Sequence, residues 1–362
     1  MTARDSCLYC AGNAGKQTHG RTSSRFGSLQ GVQAMAAGPL VVVFGLNEAN
    51  RAVVEHALAG AADVISLKGL DDAAREAALC RAGAVLLWNT TELRPHELAL
   101  IANARLLQTM SAGVDFLPFS TLPPSLQVAS NGGAYAEPMA EHALAMALAA
   151  AKRLIVEHTA LAGGAFNQFE QNRMLAGGVC GIFGFGGIGE ATAKLMRALG
   201  MRIHAVNRRG ATDAQVDWIG GVDRLDDLLA ASDVLLISAP LSRTTRGIID
   251  AAALARMKPD AILVNLARGE LIDEAALYAH LCAHPRFTAC IDAWWIEPGR
   301  HGRFAMDQPF LTLPNVIGSP HNSAAAISGT GAVGLRRAIA NIRRALAGET
   351  PLYLVPPEDR MM

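Results

Sequence analysis

Three polar residues of complementary chemistry each sit just past a short apolar run. Arg268 follows Ala261–Leu266, and Glu297 follows Phe287–Ile291 in the segment Asp292-Ala-Trp-Trp-Ile-Glu297-Pro298. His321 follows Asn315–Gly318 in Ser319-Pro320-His321-Asn322. An imidazole titrates near pH ~6.5 and suits proton transfer. A carboxylate beside it orients the ring and favours its charged form, and a guanidinium grips an anion with forked donors. Each residue alone has an ordinary reading: a structural histidine, a Glu-Pro turn, a surface ion-pair partner. The carboxyl ends of parallel strands converge on one crevice, so the three can meet despite their separation.

A second signal lies upstream. Gly184-Phe-Gly186-Gly187-Ile188-Gly189 follows the apolar run Val179–Phe183 and opens a helical pattern through Ala191, Lys194, Leu195 and Leu199. Gly184 permits the tight turn, Gly186 lets backbone approach a pyrophosphate, and Gly189 lets helix and strand pack closely. The helix start offers free N–H groups to the anion. About 20 residues on, an acid normally grips the ribose hydroxyls. Here Arg202–Val206 runs into Asn207-Arg208-Arg209-Gly210, with no acid. Two guanidiniums stand where a 2′-phosphate would sit, unless they are solvated loop charges.

These loops require strands to aim them. Apolar runs at Leu40–Phe44, Asp63–Leu67, Ala84–Trp88, Arg105–Thr109 and Leu126–Ala129 alternate with helical segments, the first helix spanning about 52–58 after a turn at Asn47. A long helix over about 140–154 and a less regular stretch over 158–176 follow. A second series then comprises Val179–Phe183, Arg202–Val206, Asp233–Ser238, Ala261–Leu266, Phe287–Ile291 and Asn315–Gly318, closed by a helix over about 331–347. Such alternation, met twice along the chain, predicts an α/β protein with two Rossmann-like, doubly wound parallel sheets. Pro356 and Pro357 are read as the end of order.

The 362 residues are 51% hydrophobic and 18% charged, which excludes a mostly disordered chain. Lys+Arg and Asp+Glu are both 32, so nothing in the overall charge favours nucleic acid or a membrane surface. No apolar run reaches the ~18 residues of a spanning helix. Six scattered cysteines suit free thiols in a reducing, cytoplasmic setting. Residues 1–37 lack periodicity and are rich in Ser, Thr, Gly and Gln, with Arg4, Lys16, Arg21 and Arg25 against Asp5. They read as a dispensable tail, an upstream extension before Met35, or a transit peptide. Cys7 and Cys10 lack a second ligand pair, and His280 and His284 lack a third ligand, so no metal is expected. His142, on the long helix, is read as structural.

In order and approximate spacing, the Gly184 fingerprint, Arg268-Gly269, Asp292…Glu297-Pro298 and Pro320-His321 resemble the D-isomer-specific 2-hydroxyacid dehydrogenase family, including its glyoxylate/hydroxypyruvate reductases. Ser111-Ala112-Gly113-Val114-Asp115 resembles the family's substrate-carboxylate loop, and Asn131-Gly-Gly before Ala140-Glu141-His142 its interdomain helix start. The resemblance covers nearly all of 39–354. It implies a substrate domain of residues 38–134 plus 323–354, a dinucleotide domain of 135–322 with a cleft between the two, and a homodimer embraced by an arm within Arg153–Gly177.

It also implies roles. His321 would be the general acid/base and Glu297 its ring partner. Arg268 would grip the substrate carboxylate and polarise the keto oxygen, with backbone N–H groups of Ala112 and Gly113 binding the same carboxylate. Asp292 would sit beside the nicotinamide, with Ala239-Pro240, Thr245 and Ala267 lining the cofactor. The expected cofactor is NADP, with NAD as the alternative, and the partner a small 2-keto or 2-hydroxy acid. The loop Gly299-Arg300-His301-Gly302-Arg303-Phe304 is longer than in the family pattern. Arg300, His301 and Arg303 could favour a second substrate anion, or simply be solvated. Trp294 and Trp295 could form an apolar wall or be core packing. Two other readings stay open: a dinucleotide-sensing corepressor, and formate or phosphite oxidation. Formate enzymes of this type carry glutamine where this chain has Glu297.

Overall fold

The structure is a computed structural model and describes residues 38–88, 92–325 and 330–360. The leader with Cys7 and Cys10 lies outside the described residues. Strands β1 Leu40–Val42, β2 Val64–Ser66, β3 Ala84–Leu87, β4 Leu106–Thr109 and β5 Gln127–Ala129 form one parallel sheet, ordered β2-β1-β3-β4-β5. Leu40 and Val42 pack into one buried cluster, Val41 and Val43 into another. Both faces are thus covered, which is why the strands read as unbroken apolar runs. Helices α1 Glu48–Leu58 and α11 Thr330–Leu346 cover one face, α2 Asp72–Cys80 and α3 Glu97–Leu100 the other. Asn47 caps α1, its side chain accepting from Asn50 N at 2.8 Å.

The second sheet holds β6 Val179–Phe183, β7 Arg202–Val206, β8 Trp218–Gly220, β9 Val234–Ile237, β10 Ile262–Asn265, β11 Thr288–Ile291 and β12 Val316–Gly318. All its pairings are parallel, in the order β12-β11-β10-β9-β6-β7-β8. Helices α4 Ala136–Ala151 and α6 Gly187–Ala198 pack on one face. Helices α7 Leu225–Ala231, α8 Ala251–Arg256 and α9 Glu274–Ala283 pack on the other. Strand order reverses between β6 and β9, and the crevice beyond their carboxyl ends is where such sheets bind ligands. Both sheets belong to one compact unit, Ala37–Met362. Among the described residues no helix is long and apolar enough to cross a membrane.

The structure departs from the sequence reading in four places. The long helix starts at Ala136 and stops at Ala151, because Arg153 adopts a left-handed conformation. The stretch read as irregular opens with α5, Leu154–Ala162, which buries none of its residues. A helix without a buried face has no amphipathic period to detect. Strand β8, Trp218–Gly220, was not anticipated: it is a partly buried edge strand that runs straight into Gly220-Gly221, so no apolar run marks it. Order continues past Pro356 and Pro357 to Arg360, whose guanidinium donates to Val355 O at 2.9 Å.

Candidate active site

The carboxyl ends of both sheets open into one cleft of about 1390 Å³. That exceeds the volume of a single drug-sized ligand and leaves room for a dinucleotide beside a small acid. Gly184, at φ +99°, turns the chain out of β6. A Cβ there would lie 2.2 Å from Ala239 N, so only glycine fits this crossing of β6 and β9. Ser238 Oγ donates to Gly184 O at 2.8 Å and fastens it. Gly186 caps α6 without a side-chain bond, leaving the first-turn N–H groups open to an anion from the cleft. Gly187, Ile188, Gly189, Ala239 and Ala267 also line the cleft. Thr245 does not, but its hydroxyl donates to Pro240 O at 2.8 Å and accepts from Ser242 N at 2.8 Å, shaping the loop that does.

His321 and Glu297 meet. His321 Nδ1 lies 2.8 and 2.9 Å from the two Glu297 carboxylate oxygens, and both residues line the cleft. With Nδ1 engaged, Nε2 is the ring atom available to a ligand. Trp294 N donates to Glu297 Oε1 at 2.7 Å. Burial opposes charge on Glu297, but His321, the Trp294 N–H and the Arg268 charge hold its carboxyl below the usual range. His321 stands at φ +51°, a strained conformation for an L-residue.

Asp292 supplies the restraint. It is fully buried and does not line the cleft. Its carboxylate accepts from Ser319 Oγ, from Asn322 N at 3.2 Å and from Ser323 N at 3.3 Å, gripping the chain on both sides of His321. Burial opposes its charge too, yet the Ser319 hydroxyl and the nearby His321 and His142 keep the carboxyl low. His142 Nε2 lies 3.0 Å from Ser319 Oγ, backing the same loop.

Arg268 reaches across from the end of β10 to the loop after β4. Its Nε donates to Asp115 at 3.1 and 3.2 Å, and Nη2 lies 3.0 Å from Asp115 Oδ1. A Cβ on Gly113 would fall 2.1 Å from Arg268 Nη2, so the guanidinium rests on bare backbone. Among the described residues the N–H groups of Ala112 and Gly113 make no hydrogen bond. Arg268 Nη1 donates to Ala267 O at 2.7 Å, so the guanidinium is held by Asp115 and backbone beside the open N–H groups, and an anion entering here would share Arg268 with Asp115.

The long loop, which opens with the short helix α10 Pro298–His301, does reach this end, as Pro298, Gly299, Arg300 and Phe304 line the cleft. Two of its three basic residues are engaged within the chain. Arg300 pairs with both Glu270 oxygens at 2.7 and 3.0 Å and with Asp115 at 3.2 Å. His301 Nδ1 accepts from Glu297 N at 3.0 Å. Arg300 is therefore neutralised, because two acids from distant loops fold onto it. Phe304 packs edge-on against Trp294 at 5.6 Å, giving this end an apolar wall. Trp295 instead stacks on Phe310 at 5.2 Å in the core.

At the far end, past β7, lie Asn207, Arg208 and Arg209, outside the cleft lining. Asn207 Nδ2 donates to Ala211 O at 2.9 Å, while its buried Oδ1 has no partner among the described residues. A buried acceptor left unpaired costs ~1–3 kcal/mol, and a ribose hydroxyl would satisfy it. Arg208 pairs with Asp359 at 2.5 Å, a residue sequence reading had missed because it lies beyond the two prolines taken as the end of order. Arg209 is exposed and makes no salt bridge among the described residues. The glycine turn, the uncapped helix start and the orphaned Asn207 acceptor all fit a dinucleotide.

Comparison with known proteins adds to this geometry. Residues 144–323 match the family described as "D-isomer specific 2-hydroxyacid dehydrogenase, NAD binding domain". A hydroxypyruvate reductase of Thermotoga maritima is 32% identical over 212 residues, 58% of this chain and 67% of that protein. A D-3-phosphoglycerate dehydrogenase of Archaeoglobus fulgidus is 29% identical over 250 residues, 67% of this chain, but the chain spans only 45% of its length. The crystal structure of a D-isomer specific 2-hydroxyacid dehydrogenase from Xanthobacter autotrophicus Py2, in complex with NADPH and MES, superposes with a TM-score of 0.73. It is 26% identical, covering 90% of this chain and 100% of that one.

Proposed function

The chain belongs to the D-isomer specific 2-hydroxyacid dehydrogenase family, and from that premise we propose that it reduces a small 2-keto acid to the D-2-hydroxy acid with NADPH. The observation that carries this reading is the His321–Glu297 pair at 2.8 Å, facing the same cleft as Arg268 and the Gly184 turn. The bound cofactor supplies the hydride. Protonated His321 donates from Nε2 to the developing alkoxide, and Glu297 stabilises the imidazolium needed for that step. Arg268, Ala112 N and Gly113 N hold the carboxylate and orient the keto carbon. Asp292 is a positioning residue, acting through the loop that carries His321. In the oxidative direction the same imidazole, deprotonated, takes the hydroxyl proton.

The lobe split follows the two sheets: residues 38–134 with 323–354 hold the substrate side, and 135–322 the dinucleotide. The preference for NADPH rests on Arg208 and Arg209 at the end of β7, where no acid follows the strand. The homodimer rests on the arm within Arg153–Gly177, which presents Leu154, Ile155, Leu161, Phe166, Phe169 and Met174 to solvent. The test is direct: mix the protein with NADPH and a panel of 2-keto acids, glyoxylate and hydroxypyruvate among them, and follow loss of dihydronicotinamide absorbance. Turnover is expected. Tight dinucleotide binding with no turnover of any acid would favour a sensing role on the same fold.

A further inference from the structure

Strand β7 ends without an acid of its own, yet a carboxylate stands there. It comes from the other end of the chain. After α11 the chain runs alongside β5: Leu354 bridges Ala129 antiparallel, and Val355 N donates to Val128 O at 2.8 Å. Arg360 folds back onto Val355 O at 2.9 Å and Leu126 O at 3.3 Å, closing a short turn over Pro357–Asp359. This tail is therefore fastened to the first sheet. From it Asp359 reaches the second sheet and accepts from Arg208 Nη2 at 2.5 Å. The Asp359 side chain is only 14% exposed against 53% for Arg208, and Asp359 lines the cleft.

We propose that Asp359 is a specificity-determining carboxylate for the cofactor, carried on the C-terminal tail instead of on β7: it holds Arg208 when no phosphate is present and opposes a 2′-phosphate. This rests on the dinucleotide reading given above. A 2′-phosphate is dianionic and takes Arg208 by displacing Asp359, or else shares the guanidinium against like-charge repulsion. A 2′-hydroxyl is neutral and can donate to the same carboxylate without breaking the pair. Asp359 thus lowers the advantage that Arg208 and Arg209 give NADPH. The contact also joins the two sheets at the cleft edge, so displacing it frees the tail from the second sheet.

The experiment measures dissociation constants of NADPH and NADH by quenching of tryptophan fluorescence, on the full chain without substrate. Asp359→Asn keeps the shape and removes the charge. It is expected to tighten NADPH about 3–5-fold, the worth of one partly exposed ion pair, and to move NADH less than about twofold or weaken it. Asp359→Glu, which restores the charge, should return most of the discrimination. In an Arg208→Ala background the Asp359→Asn effect on NADPH should shrink. Equal changes for both dinucleotides, no change, or weaker NADPH binding in Asp359→Asn would overturn the proposal while leaving the dinucleotide reading intact. Failure of the unaltered protein to bind either dinucleotide would overturn both.

Discussion

His321 is held in a backbone conformation that an L-residue adopts only when its surroundings impose it. At φ +51° such a residue costs of order 1–3 kcal/mol, and here Asp292 grips the loop before it at Ser319 and after it at Asn322 and Ser323. With its Nδ1 on Glu297, the ring is set for proton transfer through Nε2. His321→Ala should lower kcat by ~10²–10⁴-fold and leave the NADPH dissociation constant within about twofold. Steady-state rates and a fluorescence titration on the same sample check both halves, and an unchanged kcat removes His321 from the mechanism. Reduction needs the charged imidazole, and Glu297→Gln withdraws the carboxylate that favours it. The alkaline limb of the pH–kcat profile should move to lower pH, and a superimposable profile would count against the pairing. Arg209→Ala should raise the KM for NADPH ~10-fold and leave NADH use nearly unaltered, since a charge-assisted bond is worth ~1.5–3 kcal/mol and exposure reduces it.

At the scale of elements, the decisive piece is the turn after β12. Asp292, at the end of β11, ties its own strand end to Ser319, Asn322 and Ser323 beyond β12. Its folded-state pKa lies below the ordinary value, so its charge stabilises the fold above that ordinary value, near pH ~3.9, and the contribution is lost as pH falls toward the depressed one. Asp292→Asn should therefore cost ~1–3 kcal/mol at pH 7. The difference in Tm from the unaltered protein should narrow below about pH 4. A constant difference across that range would show that shape, not charge, is what the loop requires. The fingerprint turn was legible in advance for the same local reason: Gly184, Gly186 and Gly189 lie within one strand–turn–helix, and their spacing encodes the geometry. Helix α5 was not legible, because its apolar residues point outward and carry no helical period toward a core.

For the whole molecule, that outward face is the clearest unmet demand. Phe169 is 92% exposed and Phe166 76%, on an arm that also shows Leu154, Ile155 and Leu161. Apolar patches of this kind mark association surfaces. If the arm carries the proposed homodimer, the unaltered protein scatters light as a dimer at micromolar concentration and Phe169→Asp as a monomer, because a buried unpaired charge disfavours association. A monomeric unaltered protein would show that the arm meets something else.

The sequence by itself determined the two parallel sheets, the glycine turn at Gly184, and the order in which Arg268, Glu297 and His321 reach strand ends. Those features are written in apolar runs and turn residues a few positions apart, where local sterics decide the outcome. Only the tertiary structure decided which charges meet. Arg268 and Asp115 are 153 positions apart, and Arg208 and Asp359 are 151 apart. Arg300 read as a free cation until Glu270 and Asp115 closed on it. Asp292, expected beside the cofactor, turned inward to hold a loop. Ion pairing depends on distances set by how the sheets pack, and a linear pattern carries no record of those distances.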